Sequence, residues 1–223
     1  MAKKILFSLL AIIVFCLISF KLYTPSPMAN RHALPKPKLN SSMSVTQAIA
    51  QRHSTRSFSS EPITQQQLSQ LLWAGQGITH DNKLRTTPSA GAKYPLELFI
   101  INSDSSFHYL ADGHQLERLN AKPSREKIYQ VALKQDWVKD APLLIIIAAD
   151  FDRTKQKYPE AAERFVWMEV GHCAQNIMLQ ATSMHLGIVG VGSFDADTMQ
   201  KLLPTGEWTP LYILCIGNKL RSD

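Results

Sequence analysis

Apolar residues recur at helical spacing in several stretches of the chain, and in the clearest cases a capping residue stands in front. Ser44 precedes one such stretch, and Thr64-Gln65-Gln66-Gln67 has the spacing of a capping box, in which the third residue reaches back to the cap. Asp195 stands in the same position before another stretch. The pattern predicts helices after Ser44 and Thr64, from Ser124 through Leu133, from Glu160 to Leu186 with Gly187 ending it, and from Asp195 through Leu203.

Shorter apolar runs predict the strands. Leu143–Ala149 is continuously apolar, as in a strand buried on both faces, and Asp112-Gly113 between two runs indicates a hairpin. Residues 75–95 hold three Gly and two Pro and predict a long ordered loop. The predicted strands are Leu96–Ile101, Phe107–Leu110, His114–Leu119, Leu143–Ala149, Ile188–Val191 and Leu211–Ile216. Together these elements predict an α+β domain in which helices cover a mixed sheet.

The first 24 residues have a different pattern. Ile5–Phe20 is an apolar run behind Lys3 and Lys4. It is longer than the core of a signal peptide, about 7–15 residues, and shorter than the roughly 20 residues that span a bilayer. An uncleaved anchor and a long signal peptide therefore both remain open, and a buried core helix is disfavoured by the prolines that follow. We expect an N-terminal membrane anchor or signal segment over 1–24, a Pro-rich basic tether over 25–43 and a folded domain over 44–223.

The net charge of +6 comes from the N-terminal part of the chain. Residues 1–40 carry six Lys and Arg and no acidic residue, which leaves 18 Lys and Arg against 18 Asp and Glu in the rest. A neutral domain argues against nucleic-acid binding, whereas basic residues beside an apolar run suit anionic lipid headgroups. We therefore expect membrane association with the domain exported, since a short basic start before an apolar run is typical of export. The near-even charge on the two flanks leaves a cytoplasmic domain open.

Metal chemistry has little support in the sequence. The three cysteines lie in apolar contexts without metal-ligand spacing. Glu169 and His172 form an E-x-x-H pair, but a di-iron bundle needs a second such pair and two further Glu on facing helices. We expect no metal site and interpret Glu169 and His172 as part of a packed polar cluster.

Three other stretches carry candidate chemistry. In Arg52–Phe58, two arginines four residues apart with hydroxyls between them suit a phosphate, although a solvated basic turn is the plainer interpretation. In Pro88–Pro95, small residues allow a close backbone approach to a flat ligand, with an ordinary surface loop as the alternative. Gly187–Asp195 places three glycines around a strand but lacks the complete dinucleotide fingerprint.

Taken in order, these stretches resemble one family. Arg52–Phe58 is similar to the R-R/H-S-x-R-x-F signature of the nitroreductase superfamily, and further blocks resemble its SagB-type dehydrogenase branch. The resemblance covers about Ser44 to Asn218. The further blocks are Leu71–Gly77, Pro88–Pro95, Glu169–Asn176, Gly190–Phe194 and Leu211–Gly217.

The resemblance implies a homodimer that binds FMN at the subunit interface. By position, Arg52, Ser54 and Arg56 would hold the phosphate and the polar edge of the ring, and Lys219 would complete the phosphate site, where the family more often has Arg. The backbone of Val189-Gly190-Val191 would face the reactive nitrogen, so that an N–H tunes hydride transfer. The full set of cofactor-binding residues implied is Arg52, His53, Ser54, Arg56, Pro88, Ser89, Ala90, Gly91, Val189, Gly190, Val191 and Lys219.

Lys157-Tyr158 resembles a Lys-Tyr pair that supplies acid–base catalysis in relatives that oxidise peptide azolines. A buried Lys can lose its proton near neutrality and act as a base, with Tyr as partner. A charged helix start beside Pro159 is the alternative. The residues that follow depart from the family pattern, and Phe165 stands where Tyr is frequent.

We therefore expect an FMN-dependent oxidoreductase that transfers a hydride to or from a small organic or peptide-derived substrate. One alternative is a nitro or quinone reductase that takes electrons from NAD(P)H. The other, from a different class, is a membrane-tethered flavoprotein without turnover, acting as a binding or electron-relay module.

Overall fold

A computed structural model of the chain describes residues 30–80, 84–119, 123–203 and 206–220. Within these residues one sheet of seven strands has the order β1-β4-β3-β2-β5-β7-β6, and all neighbouring strands are antiparallel. The strands are β1 Arg31–Ala33, β2 Leu96–Ile101, β3 Ser106–Leu110, β4 Gln115–Arg118, β5 Leu143–Ala149, β6 Leu186–Val191 and β7 Thr209–Asn218. The predicted α+β architecture is confirmed, and its sheet is antiparallel where a mixture of strand directions was expected.

Helices cover both faces of the sheet. They are α1 Val45–Gln51, α2 Gln65–Gln76, α3 Arg125–Val131, α4 Asp136–Asp140, α5 Phe151–Lys155, α6 Ala162–Ser183 and α7 Ala196–Leu202. A short 3₁₀ turn, Ala90–Ala92, interrupts the loop before β2. The capping boxes at Ser44 and Thr64 are confirmed. Each cap hydroxyl accepts a hydrogen bond from the backbone N–H of the Gln three residues later, and the side chain of that Gln accepts from the backbone N–H of the cap residue. Asp195 accepts from the N–H of Thr198 and caps α7.

Strand β5 explains how the core is divided. All seven of its residues are buried, and alternate side chains enter opposite layers. Leu143, Ile145 and Ile147 pack in the layer that contains α2 and α6, whereas Leu144 and Ile146 pack in the layer with α3 and α7. The continuous apolar run of this strand therefore reflects burial on both faces, as the sequence predicts.

Helix α6 ends before the position that the sequence indicates. Its last residue is Ser183, and His185 then adopts a left-handed conformation with φ of 59°. Gly187, expected to end the helix, lies inside β6. A Cβ there would lie 2.7 Å from Cγ2 of Thr55, so this glycine makes room for the segment packed on the strand.

Part of the expected tether belongs to the folded domain. Arg31–Ala33 pairs with β4, and Leu34 N–H donates to the carbonyl of His114 at 3.0 Å. The side chain of Gln70 in α2 accepts a hydrogen bond from the N–H of Lys38 at 2.8 Å and donates one to the carbonyl of Lys38 at 3.0 Å. These contacts are long-range in sequence, so local patterns did not indicate them.

The expectation of membrane localisation is corrected. In the ranges that the structure describes, no helix combines the length and apolar character needed to cross a bilayer. The apolar run Ile5–Phe20 and the 1–24 segment lie outside the described residues.

Candidate active site

The segment that follows α1 docks against the ends of β6 and β7. Arg52 caps the C-terminus of α1, and the N–H of Thr55 then donates to the carbonyl of Ile188 in β6 at 3.0 Å. Further along, Phe58 forms a β-bridge with Lys219 directly after β7. The structure therefore brings the Arg52–Arg56 stretch, β6 and Lys219 into one region, which we call the cationic edge.

The cations of this edge have no acidic partners among the residues that the structure describes. Within the described part of the chain, no carboxylate forms an ion pair with Arg52, Arg56 or Lys219. The Arg56 guanidinium lies 5.2 Å from the centroid of the Trp137 ring, and His53 Nδ1 lies 2.9 Å from the carbonyl of Gln51. Unpaired guanidinium groups near a chain turn suit an anionic ligand such as a phosphate.

Two neutral donors at the same edge also lack a hydrogen-bond partner in the described part of the chain. Thr55 Oγ1 and Trp137 Nε1 are buried and accept or donate no hydrogen bond among the described residues. The segment buries Thr55 on β6, while the side chains of His53 and Ser54 stay exposed. Ser54 is therefore accessible to a ligand. Thr55 is one of the hydroxyls between the two arginines, although it was not in the predicted cofactor-binding set.

Gly190 in β6 is required by close packing. A Cβ at this position would overlap the hydroxyl of Tyr212 and lie 3.1 Å from Cε of Met178. Strand β6 lies at one edge of the described sheet. Val189 and Val191, which flank Gly190 in this strand, are buried. The glycine therefore makes room for Tyr212 and Met178 to pack against β6.

The loop before β2 forms the second region of the site. Ser89 Oγ accepts from the N–H of Tyr94 at 2.8 Å and closes the loop on itself. Gly91, Ala92 and Tyr94 have φ of 60°, 53° and 48°, a left-handed conformation that costs a residue other than glycine roughly 1–2 kcal/mol. Strained backbone of this kind is concentrated at functional sites.

Lys157 and Tyr158 lie against this loop. A Cβ at Gly91 would be 3.0 Å from Lys157 Nζ and 3.0 Å from the Tyr158 hydroxyl. Tyr158 is held edge-on against Phe165, with ring centroids 5.1 Å apart. Lys157 is exposed, so it is not the deeply buried base of the sequence hypothesis. The structure does place the pair beside Gly91 of the loop.

An ion-pair network fixes the other end of the loop. Arg153 donates to the Tyr94 carbonyl at 3.0 Å and to Glu97 at 2.6 Å, and it pairs with Asp150 at 3.1 Å. His108 Nε2 lies 2.7 Å from the second oxygen of Glu97. Burial raises the pKa of Glu97, but His108 and Arg153 outweigh it and hold the pKa below its ordinary value. The sequence did not reveal this network, because its members come from three separate elements.

Glu169 on α6 faces the same loop from the core. It is 3% exposed, and burial raises its pKa to about 7, against the opposing effects of Ser89 and Arg85. The described residues contain no cluster of His, Cys, Asp and Glu that could hold a metal ion.

A separate cavity of about 700 Å³ lies among α1, α2, α6 and the segment before α1. Leu39, Val45, Trp73 and Leu179 line it, with Lys38 as its one charged residue among those described. None of the predicted site residues lines this cavity.

Comparisons with known proteins agree on one family. The model of the Nitroreductase family matches residues 49–218. A relative from Methanocaldococcus jannaschii, MJ1384, which carries a nitroreductase name, is 36% identical over 178 residues, covering 77% of this chain and 89% of the relative.

Solved structures have the same fold. A Ralstonia eutropha protein described as a nitroreductase superposes with a TM-score of 0.76 at 26% identity, covering 87% of this chain and 92% of that one. The NADPH:FMN oxidoreductase of Vibrio harveyi, solved with NAD⁺, superposes with a TM-score of 0.59 at 21% identity, covering 78% and 68%. The second similarity shows the fold alone.

Proposed function

We propose that this chain, which belongs to the nitroreductase family, is an FMN-dependent oxidoreductase that transfers a hydride to or from a small organic or peptide-derived substrate. The observation that carries the proposal is the cationic edge, where Arg52, Arg56 and Lys219 form no ion pair with any described carboxylate and lie beside the glycine-containing strand β6. A dianionic phosphate offers the charge that these side chains lack.

The residues present fit FMN. Arg52, Ser54, Arg56 and Lys219 would hold its phosphate, with His53 beside them, and the backbone of Val189–Val191 would lie along the ring. At the same edge, the buried Thr55 hydroxyl and the Trp137 indole N–H have no hydrogen-bond partner in the ranges that the structure describes. Bound FMN would supply the hydride chemistry, while the chain supplies binding, orientation and protons.

A second copy of the chain would complete the site. The contacts described above put the cationic edge in one region and the Pro88–Gly91 loop with Lys157 and Tyr158 in another. Helix α6 also presents an exposed apolar face, with Trp167 48% exposed and Met168 53% exposed, and a Cβ at Gly171 one turn on would meet nothing. Aromatic residues and Met are enriched in the buried centres of interfaces. A symmetric dimer through this face is therefore part of the proposal.

Lys157 and Tyr158 would act as acid and base toward the substrate. Their polar atoms lie within contact distance of Gly91, and the loop that contains Gly91 is proposed to line the flavin. This arrangement supports the SagB-type interpretation, in which a peptide-derived substrate loses a hydride and a proton.

The alternative is an NAD(P)H-dependent nitro or quinone reductase. It is favoured by the nitroreductase name of the Methanocaldococcus jannaschii relative and by the NADPH:FMN activity named for the Vibrio harveyi protein. The third version is a flavoprotein without turnover. It predicts bound FMN that no electron donor reduces and no electron acceptor reoxidises.

The test begins with the absorbance spectrum and the mass of the purified full-length protein. We expect a yellow dimer with FMN near one per subunit, and Met168→Arg should shift it toward a colourless monomer. Stopped-flow mixing with NADH and NADPH then distinguishes the SagB-type dehydrogenase from the NAD(P)H-dependent reductase. Rapid bleaching of the FMN absorbance would support the reductase. A wild-type protein that stays colourless in excess FMN would contradict the proposed function.

A further inference from the structure

Strands β2 and β3 stop pairing before either strand ends. Their pairing register ends at Phe99 and His108, although β2 begins at Leu96 and β3 continues to Leu110. A pocket of about 270 Å³ lies at these unpaired ends, and none of the residues proposed to bind FMN lines it. Its volume is just below the range of about 300–1,000 Å³ that is typical of ligand sites, so a ligand here would be small. Apolar and aromatic side chains form much of the wall, namely Leu96, Leu98, Tyr109, Ala111 and Trp208.

Arg85 brings a positive charge to this pocket. Its half-buried side chain donates from Nη1 to Oε1 of Gln76 at 2.8 Å, and the guanidinium carbon lies 5.0 Å from the centroid of the Tyr94 ring. The two contacts fix the plane of the guanidinium. No carboxylate among the described residues forms an ion pair with Arg85. The pocket therefore contains an oriented cation with further N–H donors to offer.

The other charged residues of the lining already have partners. Arg153 contacts Glu97 at 2.6 Å and Asp150 at 3.1 Å, and His108 Nε2 lies 2.7 Å from the second oxygen of Glu97. Asp112 also has an interaction of its own. Among the described lining residues this leaves one guanidinium, which matches a single negative charge. The two carboxylates in the wall would repel a dianion more strongly than a monoanion.

Gln76 places a second donor next to the guanidinium. Its side-chain oxygen accepts from Arg85, and its Nε2 is buried without a hydrogen-bond partner among the described residues. A guanidinium and a carboxylate form paired, planar hydrogen bonds, a geometry that a fixed Arg favours.

We propose that this pocket binds a small monocarboxylate with an apolar or aromatic body. The carboxylate oxygens would accept from Arg85, with the amide of Gln76 beside them, and the body would pack against Leu98 and Trp208. The pocket adjoins the proposed flavin loop through Tyr94 but shares no residue with the proposed FMN site. The inference therefore goes beyond the proposed function and does not depend on it.

The four tryptophans of the chain allow the site to be located directly. Trp208 lines the pocket, Trp73 lines the larger cavity, Trp137 lies beside Arg56 at the cationic edge, and Trp167 is exposed on α6. The full-length protein is labelled with ¹⁵N at the indole nitrogens, and each signal is assigned with a single Trp→Phe variant. Titration with sodium benzoate at constant ionic strength should shift the Trp208 signal to saturation. A shift confined to Trp137 or Trp73 would place benzoate elsewhere and overturn the proposal.

The charge requirement is tested on the wild type with benzamide, which has the shape of benzoate without its charge. Losing a charge-assisted hydrogen bond should raise the dissociation constant at least about tenfold. This comparison needs no substitution, so it is decisive even if a variant at Arg85 does not fold. Equal shifts of Trp208 by the two compounds would contradict the site. Phenyl phosphate should bind more weakly than benzoate, and tighter binding would overturn the choice of a monocarboxylate.

The role of Arg85 is tested by Arg85→Met, which should also raise the dissociation constant for benzoate at least about tenfold. Arg118→Met is the matched control, because Arg118 is exposed at the end of β4 and does not line the pocket. The control should bind benzoate as the wild type does. A folded Arg85→Met protein with wild-type affinity would show that Arg85 is not the ligand.

The outcomes separate the pocket from the proposed function, because the benzoate titration requires no flavin. If the wild type binds no FMN, the proposed function fails, and the Trp208 signal still decides whether the pocket binds a carboxylate. If the wild type binds FMN and benzoate leaves the Trp208 signal in place, only the pocket proposal is overturned.

Discussion

Arg153 donates a hydrogen bond from its guanidinium to the backbone carbonyl of Tyr94, at a distance of 3.0 Å. The bond joins helix α5 to the end of the loop that is proposed to line the flavin. Lys157 and Tyr158 follow Arg153 by four and five residues, just beyond the end of α5, and their polar atoms lie beside Gly91 of the same loop. One short stretch of chain therefore sets the position of the loop and of the proposed acid–base pair together.

Replacing Arg153 by Ala should destabilise the protein. The side chain of Glu97 is 13% exposed, and it would keep its contact with His108 but lose the 2.6 Å ion pair with Arg153. A buried charge-assisted bond contributes about 1.5–3 kcal/mol, so urea unfolding should show a loss in this range. Lys155→Ala on the same helix is the control, because its pair with Asp152 is 56% and 83% exposed and should contribute little. Equal losses in both variants would argue against a role for Arg153 in holding the loop.

Arg52→Ala and Arg56→Ala should each weaken FMN binding. Each change removes a charge-assisted hydrogen bond worth roughly 1.5–3 kcal/mol, so the dissociation constant should rise at least about tenfold. Fluorescence titration with FMN measures the effect. Arg118, exposed at the end of β4, is the matched arginine and should be neutral when replaced. If all three variants bind FMN alike, Arg52 and Arg56 are not ligands.

Gly91→Ala should displace Lys157 and Tyr158. The new Cβ would meet their polar atoms at 3.0 Å, and φ of +60° adds strain of roughly 1–2 kcal/mol. Gly206 is the control, because it has φ of +61° and a Cβ there would have no atom within 4 Å. Gly206→Ala therefore introduces the backbone strain without a new side-chain contact. We expect similar losses of stability but lower turnover in Gly91→Ala alone. Unchanged turnover in both would remove the support for catalysis by the pair.

Gly190→Ala should disrupt β6 and the FMN site together. Its Cβ would overlap Tyr212, whereas a Cβ at Gly192 would meet the same ring at an ordinary 3.7 Å. Overpacking of this kind costs typically about 1–3 kcal/mol. Thermal unfolding and FMN titration of Gly190→Ala and Gly192→Ala should therefore separate the two positions, with the larger loss at Gly190.

Glu169 should make the stability of the protein fall between about pH 4.5 and 7. Its pKa rises from 4.5 to about 7 on folding, so the folded protein binds more protons than the unfolded chain in this window. The stabilisation is complete below pH 4.5 and is lost above 7. At 1.36 kcal/mol per pKa unit the loss amounts to about 3 kcal/mol. Urea unfolding of the wild type and Glu169→Gln at pH 5 and pH 8 checks this, and a constant difference between them would contradict it.

Local chemistry was enough to predict most helices and strands. Ser44, Thr64 and Asp195 cap their helices through bonds that span three residues, so a short stretch of sequence contains all the partners. Strands β2 and β5 have the predicted bounds, because their apolar runs match the length of a buried strand. The resemblance of ordered blocks also indicated the family, which the match over residues 49–218 confirms.

Elements that depend on distant partners were not predictable in this way. Strand β1 exists because it pairs with β4, more than 80 residues later. Helix α6 stops at Ser183 because the following residues are needed as β6, whose Gly187 leaves room for Thr55. In both cases the competing interaction is a long-range contact, and no pattern within a short window contains it.

The candidate site divides along the same line. The sequence by itself determined which residue types are candidates for the chemistry: the arginines after α1, the small residues before β2, and the glycines of β6. Only the tertiary structure decided that Lys219 bridges to Phe58, that Lys157 lies beside Gly91 and that Glu169 is buried. The physical reason is that charge and flexibility belong to single residues, whereas burial, the shifted pKa of Glu169 and the lack of ion pairs with described carboxylates at the cationic edge arise from the packing of segments far apart in the chain.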